Sequence, residues 1–180
     1  FNSAQPLATL VDWQKQVAKR VRLSTSKPMP DIAAGLDVAY AAPGLAIGGY
    51  VLYDLGSSVA LWSKVIEQPA SFPYIPGLLT FRELPVFSAL LDAAHKEGVA
   101  APLLFVDGNG ILHPRRSGIA TAVGVMAGVP TIGVGKKLLC GKVKQTGTSK
   151  TVCGLVLQDD ELLGAAIRSS SASRPIYISP

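Results

Sequence analysis

The spacing of apolar and polar positions divides the chain into helix-period and strand-period segments. Over residues 7–22 (LATLVDWQKQVAKRVR), Leu7, Leu10, Val11, Gln14, Val17 and Val21 recur at three- to four-residue intervals, with Lys15, Lys19, Arg20 and Arg22 elsewhere. That is the stripe of an amphipathic helix. A proline-containing break follows at 27–30 (KPMP). Residues 31–40 (DIAAGLDVAY), 46–54 (AIGGYVLYD) and 58–66 (SVALWSKVI) predict three strands, and Asp54-Leu55-Gly56-Ser57 supplies turn chemistry between the last two. Together they predict an antiparallel meander. The next stretch, PASFPYIPG, is proline-rich and predicts a stiff loop.

A second helix is predicted from Leu78 to Lys96, with Leu84, Phe87, Leu91 and Ala94 on its buried face. Residues 102–107 (PLLFVD) form a short apolar run ending in an acid, the pattern of a strand covered on both faces. After a Gly-rich turn, a third helix is predicted from Pro114 to Ala127, since Pro suits a first turn and Gly128 a stop. TIGVG at 131–135 is another buried strand, and 151–157, 161–168 and 175–179 are further strand candidates. Antiparallel strands first and βα units afterwards predict an α/β fold: a mixed sheet with helices on both faces.

Composition narrows this picture modestly. A chain of 180 residues suits a single domain over 1–180, and 48% hydrophobic with 16% charged residues argues for a packed core rather than disorder. The 17 Lys+Arg against 12 Asp+Glu give a net charge of +5, compatible with a polyanionic partner without singling one out. Cys140 and Cys153 are too few for a disulfide framework and lack zinc-ligand spacing, so reduced thiols are expected. No apolar run reaches the roughly 18–20 residues of a membrane span. The opening FNSAQPLATL has no basic segment leading into an apolar one, so no secretory signal is read there.

Three acids stand out. Asp37 lies inside an apolar strand, Asp107 ends PLLFVD, and Glu83 sits near a helix start just after PYIPGLLTFR. Carboxylates buried without partners are strongly disfavoured, and acids gathered at neighbouring strand ends repel one another. A divalent cation relieves that repulsion, and oxygen-rich sites suit Mg²⁺ or Mn²⁺. Such a metal can activate water and stabilise a phosphodiester transition state. Each acid alone could equally be an edge residue bonded to backbone or to an Arg.

Three further clusters surround them. In DGNGILHPRR (107–116), glycines permit close backbone approach, His113 precedes a predicted helix N-terminus, and Arg115 and Arg116 offer phosphate contacts. In GVGKKLLCGK (133–142), Lys136 and Lys137 follow a buried strand; the phosphate-loop spacing is absent, so a lysine beside a metal or phosphate competes with a solvated pair. In FPYIPG (72–77), Tyr74 and Ile75 stand between Pro73 and Pro76, which makes either a packing loop or a stiff wedge able to enter a base stack.

The runs GLDVAY, FPYIPGLLTFRELP, VDGNGILHPRRSGIA and GVPTIGVGKKLLCG, in this order and spacing, resemble the endonuclease V family. The likeness covers about residues 31–142 with few gaps and extends more loosely to Pro180. It implies an RNase H-like fold and Mg²⁺-dependent hydrolysis, with Mn²⁺ as a substitute. The bond cut would be the second phosphodiester on the 3′ side of deoxyinosine or inosine, leaving 3′-hydroxyl and 5′-phosphate ends. The implied role is DNA repair or inosine-RNA processing, and the implied partner is inosine-containing DNA or RNA. A monomer of the cytoplasm is expected, or of the nucleus or nucleolus in a eukaryote.

Carried over by position, Asp37 and Asp107 match the metal-binding carboxylates, Glu83 the third acidic catalytic residue and Lys136 the lysine near the scissile phosphate. Pro73, Tyr74, Ile75 and Pro76 match the strand-separating wedge; Gly77, Leu79, Gly108 and Ile119 match positions lining a pocket for the extruded base. His113 matches a histidine near the site, and Arg116 is a candidate phosphate contact. The family pattern continues past the PIYIS-like strand with a Gly-His-Arg segment and a helix, so a C-terminal segment beyond Pro180 is expected, and the stretches near Tyr40–Leu45 and Gln145–Lys150 are short for the family. Two competing expectations remain. One is another RNase H-like nuclease, of resolvase or excision-repair type, which would share the acids but not PYIPG. The other is a lesion-binding module that does not cut.

Overall fold

Strand alternation and helix stripes resolve in the computed structural model, which describes residues 7–23, 28–145, 151–168 and 174–180. The elements are α1 (Ala8–Lys19), β1 (Ile32–Ala42), β2 (Leu45–Asp54), β3 (Val59–Pro69), α2 (Leu79–Lys96), β4 (Leu104–Asp107) and α3 (Ile119–Ala127), followed by β5 (Thr131–Gly135), β6 (Lys142–Lys144), β7 (Val152–Gln158), β8 (Glu161–Ile167) and β9 (Ile176–Ser179). All nine strands join one sheet in the order β3-β2-β1-β4-β5-β9-β8-β7-β6. The meander β1–β2–β3 is antiparallel, β1, β4 and β5 are parallel, and the remaining pairs are antiparallel. This is the mixed α/β sheet that the pattern predicts. Asp54 makes the β2–β3 turn by accepting the backbone N–H of Gly56 and Ser57 at 2.9 and 3.0 Å.

Even-numbered residues of β1, β2 and β4 face the core. Ala34, Leu36, Ala46, Tyr50, Leu52, Leu104 and Val106 pack against Val86, Phe87, Leu90 and Ala94 of α2 and Ile119, Ala120 and Val123 of α3. Burying Tyr50 is tolerable because its hydroxyl donates to Val99 O at 3.2 Å and accepts the Ala101 N–H at 3.1 Å. A smaller cluster of Ile111, Leu112, Val156 and Leu163, joined by Val21, Leu138, Cys140 and Tyr177, closes the other end of the sheet. Cys140 and Cys153 are free thiols, not joined in a disulfide, and no helix among the described residues is long and apolar enough to cross a membrane.

The expectation of helices on both faces is corrected. α2 and α3 share one core, and α1 packs against α3, so all three described helices gather on one side. The odd-numbered Gly35, Gly49, Val51 and Phe105, with Val134 of β5 and Ile176 of β9, border a depression of about 420 Å³ on the opposite side. Periodicity fixes a buried stripe; it does not say which side of the sheet receives it.

The third helix begins at Ile119 rather than Pro114. Residues after His113 turn instead, with the Arg116 N–H bonding to His113 O at 2.8 Å and Arg116 at φ 55°. Gly118 is extended and lies so close to Asn109 and Gly110 that a Cβ would collide with both. The αL stop at Gly128 is as expected. β6 is an addition: its three residues are exposed and carry no alternation to detect. The stretch Gln145–Lys150 that looks short for the family lies, Gln145 apart, outside the described residues.

Candidate active site

The parallel pairing of β1 with β4 sets Leu36 opposite Val106. One residue further on, Asp37 and Asp107 come together on the side away from the helices, at the rim of the depression. Partial burial, reinforced by the Asp107 charge, holds the Asp37 carboxyl above its ordinary range. The Val38 N–H donates to Asp37 Oδ1 at 2.7 Å and opposes that rise. Lys136, the first residue past β5, donates from Nζ to Asp107 Oδ2 at 2.5 Å. Its side chain is 76% exposed against 27% for the aspartate, so the ammonium swings over a half-sheltered acid. The hydrogen bond to Asp107 raises the lysine pKa and keeps it charged. Lys137 beside it is exposed.

Glu83 approaches from the helix side, one turn into α2, and is only 6% exposed. Burial first, then the Asp37 charge, pushes its pKa up to about 7. The Tyr40 hydroxyl donates to Glu83 Oε1 at 3.4 Å. Arg82 lies 4.2 Å over the Tyr40 ring and donates from Nη1 to Phe72 O at 2.6 Å. The sequence reading missed Tyr40 and Arg82, whose only signal was proximity to an acid. Among the described residues, no three acidic, thiol or imidazole groups converge on one point. Asp37 and Asp107 are therefore the acidic pair, with Glu83 a nearby third carboxyl that both of them repel.

The 72–77 loop stands beside this centre. Pro73, Tyr74 and Pro76 are exposed, Ile75 is half-buried, and Tyr74 reaches 68% exposure at the tip. Gly77 ends the loop at φ +78° beside His113 and Arg115. Leu79 opens α2 and is half-buried. Gly108, at φ +150°, lies against Ile119, whose Cγ2 a Cβ would strike. Of the candidate base-pocket residues, Gly108 meets Ile119, whereas Gly77 meets His113 and Arg115.

His113 needs correction. It does not precede a helix N-terminus; it is buried, and its Nε2 bonds to Gly77 O at 3.2 Å while Nδ1 accepts the Arg115 N–H at 3.2 Å. Burial, then the Arg115 charge, lowers its pKa to about 4, so it is neutral at physiological pH. Arg116 is likewise engaged inside the chain. It bonds to Glu161 Oε2 through Nε and Nη2 at 2.9 and 2.7 Å and to His113 O at 3.0 Å. A phosphate contact would have to compete with that pair, so the exposed Lys137, and Lys136 with its well-exposed side chain bonded to Asp107, are the better-placed cations.

Comparison with known proteins assigns the chain to a family. The endonuclease V family model matches residues 15–180. Endonuclease V of Azotobacter vinelandii is 40% identical over 168 residues, covering 93% of this chain and 75% of that protein. The crystal structure of endonuclease V from Streptomyces avermitilis superposes with a TM-score of 0.82 at 31% identity, covering 98% of this chain and 76% of that one. The Ciona intestinalis endonuclease V, solved with a 23mer DNA containing an inosine, shares the fold at a TM-score of 0.84 and 22% identity over 98% of this chain and 83% of its own. The acid pair in a mixed sheet, the family match along nearly the whole chain and these likenesses agree that the chain belongs to the endonuclease V family of nucleases.

Proposed function

We propose that residues 1–180 act as one monomeric nuclease domain that cuts nucleic acid beside a deaminated purine. The substrate is deoxyinosine in DNA or inosine in RNA, and the bond hydrolysed is the second phosphodiester on the 3′ side. The products carry 3′-hydroxyl and 5′-phosphate ends, and the setting is cytoplasmic repair or inosine-RNA processing. The observation that carries this reading is the Asp37–Asp107 pair with Lys136 above it.

Two oxygen-donor acids that repel each other, compensated by one exposed ammonium, fit a hard divalent cation such as Mg²⁺ or Mn²⁺. Asp37 and Asp107 would hold it, and when bound it supplies charge neutralisation at the phosphodiester and a more acidic water. Lys136 sets a second positive charge at the same rim, within reach of a phosphate oxygen. Glu83, with its pKa near neutrality, can hold or release a proton as bonds change. Tyr74 at the loop tip can fill the gap left by an extruded base, and the Gly77 and Gly108 backbones leave room for that base. A fold shared with a protein that holds inosine-bearing DNA supports a nucleic-acid partner.

The test is cleavage mapping on 5′-labelled DNA and RNA carrying a single inosine. The labelled product is expected to end one nucleotide past the lesion, with a 3′ end that a polymerase extends without phosphatase treatment. A cut at the inosine itself, or ends needing phosphatase, would overturn the assigned chemistry.

A further inference from the structure

We infer that Gln14, His113 and Arg115 form a clamp on the Gly77 carbonyl that fixes the stem of the 72–77 loop, and that Gln14 is thereby a positioning residue for lesion selection; this rests on the reading of that loop as a wedge. Three donors from two distant parts of the chain meet at one oxygen. Arg115 Nη2 lies at 2.5 Å, Gln14 Nε2 at 3.0 Å and His113 Nε2 at 3.2 Å. Gln14 is fully buried on α1, and both ends of its amide are used. Its Oε1 accepts Arg115 Nε at 2.7 Å, and its Nε2 also donates to Ser117 O at 3.2 Å. His113 completes the set in one tautomer: Nδ1 accepts the Arg115 N–H, which leaves Nε2 to donate to Gly77.

Moving Gly77 would leave His113 Nε2 and the half-buried Arg115 Nη2 without that acceptor and Gln14 Nε2 with Ser117 O alone, and a sheltered donor left unpaired carries a penalty. The clamp also acts along the backbone. The carbonyl it polarises belongs to the Gly77–Leu78 peptide, whose N–H donates to Ile75 O at 2.9 Å and closes the turn under the tip. Glycine suits position 77 for its φ of +78°, and a Cβ there, 2.9 Å from Arg115 Nη2, would make the guanidinium shift. At the other end of the loop, Arg82 Nη1 holds Phe72 O at 2.6 Å. Both stems are tied while Tyr74 stays exposed, so the tip needs little ordering on entering a duplex.

Loosening the clamp should therefore weaken the step that opens a duplex and spare the cutting of the phosphodiester. Gln14→Ala is expected to lower kcat/KM on an inosine-containing duplex roughly tenfold, through KM, with kcat and single-strand cleavage nearly unchanged. Arg115→Lys keeps the charge but loses the forked geometry, and is expected to lose less in the same pattern; it carries the comparison if Gln14→Ala does not fold by circular dichroism. Tyr74→Ala is measured alongside, alone and combined with Gln14→Ala. If the clamp acts through the wedge, the double variant loses less than about twofold beyond Tyr74→Ala alone. Equal losses for Tyr74→Ala on duplex and single strands overturn the wedge reading itself. A duplex-selective Tyr74→Ala together with a Gln14→Ala loss that is equal on both substrates, or fully additive, overturns the clamp while leaving the wedge in place.

Discussion

Asp107→Ala or Asp37→Ala is expected to lower single-turnover cleavage in Mg²⁺ on the order of a thousandfold or more while the protein stays folded. The size follows from the several kcal/mol of transition-state stabilisation that a metal centre supplies, each 1.36 kcal/mol being tenfold in rate. Folding should survive because both acids lie on the side of the sheet away from the helix-covered core. Neither holds that core together: Asp37 bonds the neighbouring Val38 N–H, and Asp107 pairs with a lysine that is 76% exposed. An exposed pair of that kind adds little stability. Removing Asp107 also removes a charge that raises the Asp37 pKa, so that variant should show an Asp37 titrating closer to its ordinary range. Cleavage, Mg²⁺ binding by calorimetry and circular dichroism are measured together. Near-normal rates with intact structure in either variant would falsify the assignment of the acid pair.

Glu83→Gln is expected to act in two opposite directions. Cleavage should fall roughly a hundredfold or more, the scale of losing a positioned acid or base. Stability without metal should rise at neutral and alkaline pH. The sign follows from the pKa, raised from 4.5 to about 7 in the folded protein. Between those two values the folded state keeps a proton that the unfolded state has released, so stability falls as pH rises from 4.5 towards 7 and then levels off. The full penalty is on the order of 3 kcal/mol. Gln cannot ionise, so the variant should match wild type near pH 4 and exceed it near pH 8, less whatever the altered bond to Tyr40 costs. Urea unfolding across that range checks this, and parallel curves for the two proteins would contradict it.

How much of this was legible in the sequence depends on whether the cause was local. Asp37 and Asp107 stood out because a carboxylate in or ending an apolar strand is disfavoured without a partner, and the structure sets them side by side. The β2–β3 turn was legible because Asp54 acts on its own neighbours. The false start of α3 has a distant cause: Pro114 looks like a first helical residue, but Gly118 must pass against Asn109 and Gly110. Arg116 reads as a phosphate ligand from its charge alone, and its partner Glu161 is 45 residues away. Gln14 sat in an apolar stripe as its one polar member, yet Gly77 and Arg115 lie 63 and 101 residues further along. The side on which helices pack was likewise invisible, because a stripe has no sign relative to the sheet.

The central claim is metal-dependent cutting directed by a deaminated purine. It is tested most directly by single-turnover cleavage of two duplexes differing in one base, inosine or adenine, each with Mg²⁺ and with EDTA. The account predicts cutting in one of the four reactions, inosine with Mg²⁺. Equal cutting of both duplexes, or undiminished cutting in EDTA, would contradict it.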